Sequence, residues 1–434
     1  MSVYDDAVGA LFARQPARMV PDLDRMRSLA ELLDRPDRAN PAIHVTGTNG
    51  KTTTAHMVAA LLGALGLKTG TYTSPHLQDV RERIRVASEP ISRADVVAGL
   101  DYLAPFLAEV DARHPQAVTF FEVLTALAFL HFADAPVDVG VLEVGMGGRW
   151  DATNLVDAQV AVLTPVSSDH PQLGSRLEDI AAEKCGIVKD DAVVVSAEQD
   201  PVVARVVARA AERCGGRLVV AGRDFAVGAR RLAVGGQLLD LRGVTGSVAD
   251  VWLPLHGAHQ AANAACALAA VEGFLGFSGE LDPEVVRAGF AAVHSPGRLE
   301  VVRRPDAAPV VLDGAHNPAG ARALALALRT EFAFRNRVLV LGVLGDKDVE
   351  GIVAELLAVS DHVVVTQPPS SRAAPVDRLA KALRAAGRSA EAADDVATAL
   401  ELAGGLAGPN DAVVVAGSLY TVGAARDALG LEPA

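Results

Sequence analysis

Positive charge is scarce in this 434-residue chain. Forty Lys and Arg face 53 Asp and Glu, a formal net charge of −13. No basic run or basic aromatic cluster offsets the deficit, which argues against a nucleic-acid partner. A small anionic ligand remains compatible, because a local pocket of backbone N–H groups can outweigh the global sign. Cysteine is nearly absent. Cys185, Cys214 and Cys266 lack metal-ligand spacing, and at least one must stay unpaired, as suits a reducing cytosol. Long hydrophobic runs are missing too. The most apolar window, VTFFEVLTALAFLHFA, carries Glu122 and His131 and is shorter than the ~20 residues a membrane span needs. The opening MSVYDDAVGALFARQ shows no basic segment followed by an apolar one, so no secretory signal is evident. The expectation is a cytoplasmic protein with neither membrane nor nucleic acid as partner.

Within the small basic complement, lysine is rarer still. Only Lys51, Lys68, Lys184, Lys189, Lys347 and Lys381 occur among the 40 basic residues. A chain that uses arginine for its solvated charges keeps lysine where a compact point charge or an amine able to lose its proton is needed. Half the residues are hydrophobic and 21% are charged, enough apolar material for two or three domain cores.

Short apolar runs alternate with Ala/Leu-rich helical patterns almost throughout. AIHV (42–45), DVGVLEV (138–144), QVAVLTPV (159–166) and AVVVSA (192–197) are continuous rather than alternating. Such runs predict strands buried on both faces, hence a mostly parallel α/β sheet. Residues 224–256 instead show period-two segments broken by VGG and RGVTG, which predicts a small antiparallel β section, followed by an Ala-rich helix over about 258–274. HSPGR (294–298) reads as a linker. Beyond it the alternation restarts with PVVLDGA, RVLVLGVL, DHVVVTQ and DAVVVAGS. The predicted organisation is an N-terminal unit over 1–295 and a smaller Rossmann-like α/β unit over 296–434.

The chemistry begins at IHVTGTNGKTTT, residues 43–54. A strand, a Gly-rich turn and a helix opening at Gly50-Lys51-Thr52 form the context of a phosphate loop. The helix start offers unpaired N–H groups and the positive end of the macrodipole. Lys51 can reach outer phosphates and the Thr52 hydroxyl can ligate Mg²⁺. The usual G-x-x-x-x-G-K-[ST] spacing would need glycine at 45, where Val45 stands. Val45 marks the end of the strand, and the shortened form TGTNGK[ST] resembles the ATP loop of the Mur ligase superfamily.

Three further strand ends carry polar residues: Ser74 in TYTSPHL, Glu143 and Asp151 in VLEVGMGGRWDATN, and Asp169 with His170 in VLTPVSSDH. Ligands of doubly wound sheets bind beyond the carboxyl ends of the strands, so these loops should converge on the phosphate loop. Together with TFFE, IAAEKCGIVK, HQAANA, GRLE, DGAHNP, GDKD and GSLY, the motifs resemble the folylpolyglutamate synthase/dihydrofolate synthase family, in that family's order from 46 to 420.

The resemblance implies a set of site residues. Thr48, Asn49, Gly50, Lys51 and Thr52 would bind ATP with Asn263, Arg298, Asp313 and His316. Thr52, Ser74 and Glu143 would hold the Mg²⁺ that bridges the phosphates. Glu143, His170 and a carbamylated Lys184 would hold a second. Lys51, Lys184, His170 and His316 would be catalytic. Leu23, Asp24, Thr119, Phe121, Asp151, Ala152 and Ser418 would meet the pterin-bearing substrate. Cys185, in EKCGI, is expected to be a packed side chain rather than a nucleophile.

The implied activity is ATP-dependent addition of L-glutamate to dihydropteroate, to reduced folates or to both, through an acyl phosphate, by a chain acting as a monomer. Two rivals differ in sequence. A cell-wall amino-acid ligase of the same superfamily usually carries a UDP-sugar-binding domain ahead of the loop, and only about 45 residues precede it here. A regulatory GTP switch is expected to show an N-K-x-D-type base motif, and none is found.

Overall fold

Apolar residues without alternation dictate where the strands lie: β-branched side chains fill both faces and leave no face for water. In the computed structural model, which describes all residues except 1, 16–19, 169–170, 306 and 434 (and, of 171, the backbone alone), these runs form two large sheets. The first contains β1 (Ala42–Thr46), β2 (Thr69–Tyr72), β3 (Ile84–Val86), β4 (Glu89–Pro90), β5 (Val139–Glu143), β6 (Val160–Leu163), β7 (Val193–Ser196) and β8 (Leu218–Val220). Their spatial order is β4-β3-β2-β5-β1-β6-β7-β8. All neighbours are parallel except β2–β3 and β3–β4, which are antiparallel at one edge.

β9 (Ala226–Ala233), β10 (Gly236–Arg242) and β11 (Ser247–Leu253) make the expected antiparallel meander. A third sheet contains β12 (Glu300–Val302), β13 (Val310–Leu312), β14 (Arg337–Leu341), β15 (His362–Val365), β16 (Glu391–Ala392) and β17 (Ala412–Ala416). Its order is β12-β13-β17-β14-β15-β16, with only β12 antiparallel to its neighbour. Strand order that departs from chain order is the mark of doubly wound sheets, whose crossover helices cover both faces.

Five helices matter for the site: α1 (Lys51–Ala64), α2 (Phe120–Asp134), α3 (Leu177–Lys184), α4 (Ala258–Phe274) and α5 (Pro318–Thr330). β1 lies between β5 and β6, with Val45 in register with Glu143 and Thr46 with Leu163. That register puts Glu143 beside the entrance of the phosphate loop. α1 and α4 share one apolar core with the inner sheet faces through Val58, Leu62, Ala265 and Leu268. Among the described residues no helix is long and apolar enough to cross a membrane.

The N-terminal segment is tied down by a buried ion pair. Arg25 Nη2 and Nε donate to Glu122 Oε1 and Oε2 at 2.9 and 3.2 Å, and the Thr119 N–H donates to the same Oε2 at 2.7 Å. Glu122 thus caps α2 and neutralises Arg25 at once. Glu122→Ala would leave the buried guanidinium with only the part-exposed Asp22 carboxylate, 3.3 Å from Nη1. The expected cost is about 3–5 kcal/mol of stability, read as a lowered denaturant midpoint, whereas Ser92→Ala at an exposed cap should cost about 1 kcal/mol.

Candidate active site

Short turns from both sheets build the site. The loop Gly47–Gly50 leaves β1 and enters α1 at Lys51, with Gly50 in the left-handed region (φ 88°). Gly47 (φ 148°) sits so close to Thr164 that a Cβ would overlap its hydroxyl. Thr48 is locked in place: its N–H donates to the Pro165 carbonyl at 2.9 Å, and its hydroxyl donates to the Ser167 carbonyl at 2.9 Å. Lys51 Nζ donates to the Thr48 carbonyl at 3.3 Å, folding the lysine back over the loop.

Glu143 ends β5 and is almost wholly buried (1% exposed). The Thr52 hydroxyl donates to Oε1 and the Ser74 N–H to Oε2, each at 3.0 Å. Burial raises this carboxyl above its ordinary range, against the opposing pull of Lys51, the two hydrogen bonds and Arg298. A hard cation takes oxygen donors, and a buried carboxylate flanked by Thr52 and Ser74 supplies them, so these residues fit Mg²⁺. For a second position, Lys184 is buried at the end of α3, and its Nζ donates to the Gly47 carbonyl at 2.7 Å. Asp169 and His170 lie outside the described residues. Among those described, no three His, Cys, Asp or Glu side chains cluster as metal ligands.

The second sheet completes the cleft. Asp313, at the end of β13, accepts the N–H groups of Leu299 and Ala315 at 2.9 Å each; burial raises its carboxyl, and Arg298 opposes the shift. His316 Nδ1 donates to the Gly314 carbonyl at 2.8 Å, which sets the ring orientation. The result is a cleft of about 360 Å³ lined by the loop Thr48–Thr52, Ser74, Glu143, Asn263, Arg298, Asp313 and His316. A smaller cavity of about 30 Å³, with room for a water or an ion, lies between Gly47, Lys51, Met146, Lys184 and His316. Every expected nucleotide residue thus meets in one place, drawn from strand ends, the helix α4 and the linker, as far apart in the chain as Asn49 and Asn317, which exchange side-chain hydrogen bonds.

The residues expected at the pterin are placed differently. Ser418 lines the same large cleft and caps the helix that follows it. Leu23 is buried in the apolar cluster that holds Leu29 and Leu124, while Asp24 is exposed and paired with Arg27 at 2.8 Å. Thr119 caps α2. Phe121 packs against Gly145, where a Cβ would lie 2.5 Å from the ring. Asp151 is buried and accepts from the Met146 N–H at 2.9 Å, the Thr153 N–H at 3.0 Å and the Thr153 hydroxyl at 2.5 Å. Ala152 is buried beside it. Phe121 and Asp151 therefore brace the loop 145–147, which lines both cavities, and neither side chain lines the cleft itself. Cys185 is buried, and burial pushes its thiol up to about 12, as a packed residue requires.

The cleft also contains residues that motif reading passed over: His259, Gln260, Lys347, Arg372 and Tyr420. Four of them lie inside HQAANA, GDKD and GSLY and carried a signal; Arg372 had none. Burial lowers the His259 imidazole to about 4, so it is neutral at physiological pH.

Comparison with known proteins agrees with this geometry. The Mur ligase middle domain matches residues 45–271, and the Mur ligase glutamate ligase domain matches residues 297–419. Fold and domain order are those of a Mur ligase. A dihydrofolate synthase/folylpolyglutamate synthase of Mycobacterium tuberculosis is 47% identical, over 96% of this chain and 91% of the relative. The Mycobacterium tuberculosis folylpolyglutamate synthase solved in complex with ADP superposes with a TM-score of 0.94 at 46% identity, covering 100% of this chain and 99% of that one. An FPGS–AMPPCP–folate complex superposes at 0.87 with 33% identity, over 98% and 99%. The chain belongs to the folylpolyglutamate synthase/dihydrofolate synthase family.

The close approach at Gly47 gives a direct check. Gly47→Ala must push the loop off Thr164, and binding of a non-hydrolysable ATP analogue should weaken about tenfold or more, a penalty of strain size. Calorimetry measures it, with circular dichroism confirming that the fold persists.

Proposed function

We propose that this chain is an ATP-dependent carboxylate–amine ligase that adds L-glutamate to dihydropteroate, to reduced folates or to both, releasing ADP and phosphate. The observation that carries the reading is the buried Glu143 carboxylate at the foot of a phosphate loop, inside a cleft walled by two α/β units. Units 1–295 and 296–434 are two domains that close on the nucleotide. One chain supplies both walls, which supports a monomer, and the charge and composition support a cytoplasmic enzyme.

The chemistry follows from what a carboxylate lacks. It is a poor electrophile until one oxygen becomes a leaving group, and phosphorylation by ATP supplies that. The substrate carboxylate attacks the γ-phosphorus, ADP leaves, and the acyl phosphate forms. The glutamate amine then attacks the acyl carbon, loses a proton and expels phosphate. Thr48–Thr52 would cradle the phosphates, with Lys51 and His316 neutralising charge that moves during transfer. Thr52, Ser74 and Glu143 would hold Mg²⁺, which when bound draws charge from the phosphate oxygens. Asn263, Arg298 and Asp313 position the rest of the nucleotide. Closure of the two units over the cleft would keep water from the acyl phosphate.

We assign Lys184, which lines the small cavity with Lys51, to a second metal position as its carbamate, together with Glu143 and His170. The lysine is buried, and a carbamate keeps one N–H with which to donate to Gly47 while adding two oxygen acceptors. Leu23, Asp24, Thr119, Phe121, Asp151, Ala152 and Ser418 are assigned to the pterin side, Asp151 and Phe121 through the loop they brace.

The test supplies ATP, Mg²⁺ and glutamate with either dihydropteroate or tetrahydrofolate and follows ADP release and product mass. Acceptor-dependent ADP release with a product one glutamate heavier is expected. Absence of such release with both pterins would sink the assignment. For the carbamate, labelled bicarbonate should give a carbamate carbon signal that disappears in Lys184→Ala, and that variant should lose activity that high bicarbonate does not restore. A fully active variant contradicts the carbamate.

A further inference from the structure

One wall of the cleft is a helix held at both ends by the opposite unit. α5 presents Ala319, Gly320, Ala323 and Leu324 to the cleft. At its start, Asn317 caps the helix through the Gly320 N–H at 2.8 Å and donates from Nδ2 to Asn49 Oδ1 in the phosphate loop at 2.9 Å. At its end stands Glu331, a side chain 2% exposed. Its Oε2 accepts the backbone N–H of Gly257 at 2.8 Å, and its Oε1 pairs with Arg230 of β9. His256 Nδ1 lies 3.7 Å from Oε2.

Gly257 is the residue from which α4 starts, at φ 101°. The first turns of α4 carry His259, Gln260 and Asn263 into the cleft. Asn263 in turn abuts Gly50, where a Cβ would lie 2.6 Å from Oδ1. The two helices that flank the cleft are therefore joined at Glu331, about 20 Å of helix away from the phosphate-loop contact at Asn317.

We propose that Glu331 is a positioning residue for the nucleotide. By accepting the Gly257 N–H it fixes the start of α4 against the end of α5 and sets the width of the cleft between them. It touches no reacting atom. This inference rests on the reading of the cleft as the ATP site.

The alternative role for Glu331 is its ion pair with Arg230, and chemistry separates the two. A glutamine keeps a carbonyl acceptor for Gly257 while losing the charge. The exchange Arg230→Glu with Glu331→Arg keeps an ion pair while losing the acceptor. With ATP varied at saturating pterin and glutamate, Glu331→Gln should keep KM for ATP within about twofold. Glu331→Ala and the charge exchange should each raise it about tenfold, with kcat changed less than about twofold, as loss of one buried hydrogen bond acting only on binding predicts.

Calorimetry with AMPPCP should show the same order of affinities, and the comparison of Glu331→Gln with the charge exchange stands even if Glu331→Ala does not fold. Recovery of wild-type KM by the charge exchange would overturn the proposal, as would a fall in kcat at unchanged KM. A wild-type chain that binds AMPPCP but turns over no pterin would remove the functional reading, while the calorimetric series still decides the role of Glu331.

Discussion

The structure depends on one buried charge. Glu143 sits almost wholly buried at the carboxyl end of a central strand, against the wall of the cleft, and a carboxylate in that position is costly unless donors and cations surround it. Three elements answer that requirement together: the Thr52 hydroxyl at the head of α1, the Ser74 N–H after β2, and the positive field of Lys51 and Arg298. The parallel register of β1 against β5 brings the phosphate loop within reach of this carboxylate. A hard cation and a polyphosphate complete the balance, which is why a nucleotide belongs there.

The second constraint is that neither unit encloses the cleft alone. The first sheet supplies the phosphate loop and α4; the second supplies Asp313, His316 and the wall of α5. The linker between them is anchored to the loop helix, since Ser295 Oγ lies 3.2 Å from Thr53 Oγ1, and three residues later Arg298 turns into the cleft. An acyl phosphate survives only where water is excluded, so a cleft walled from both units suits the proposed reaction.

Much of this was legible in residues. Val45-Thr46 followed by Gly50-Lys51-Thr52 announces a strand, a turn and a helix start, and the structure folds them so. Glu143 and Asp313 are legible because each stands at the end of an apolar run, and α/β sheets gather such ends; Ser74 follows the polar strand TGTY and was legible only through its TYTSPHL motif. The Ala-rich helix over 258–274 and the antiparallel section before it appear where patterning puts them. What was not legible depends on partners distant in sequence. Nothing in Arg25 or Glu122 predicts their pairing across 97 positions, nor in Asn49 that Asn317 faces it, nor in Glu331 that it receives Gly257. Asp151 reads as a loop carboxylate open to a ligand, yet its oxygens are engaged by Met146 and Thr153, since a tight Gly-rich turn must satisfy its own N–H groups when buried.

In the proposed reaction the cleft moves a phosphoryl group from ATP to a substrate carboxylate before the amide forms. Labelling the pterin carboxylate with heavy oxygen tests it most directly. One labelled oxygen per turnover is expected in inorganic phosphate, read by mass spectrometry or phosphorus NMR, because that oxygen bridges carbon and phosphorus in the acyl phosphate. Unlabelled phosphate, with the departing labelled oxygen recovered in water or in a nucleotide instead, would contradict it.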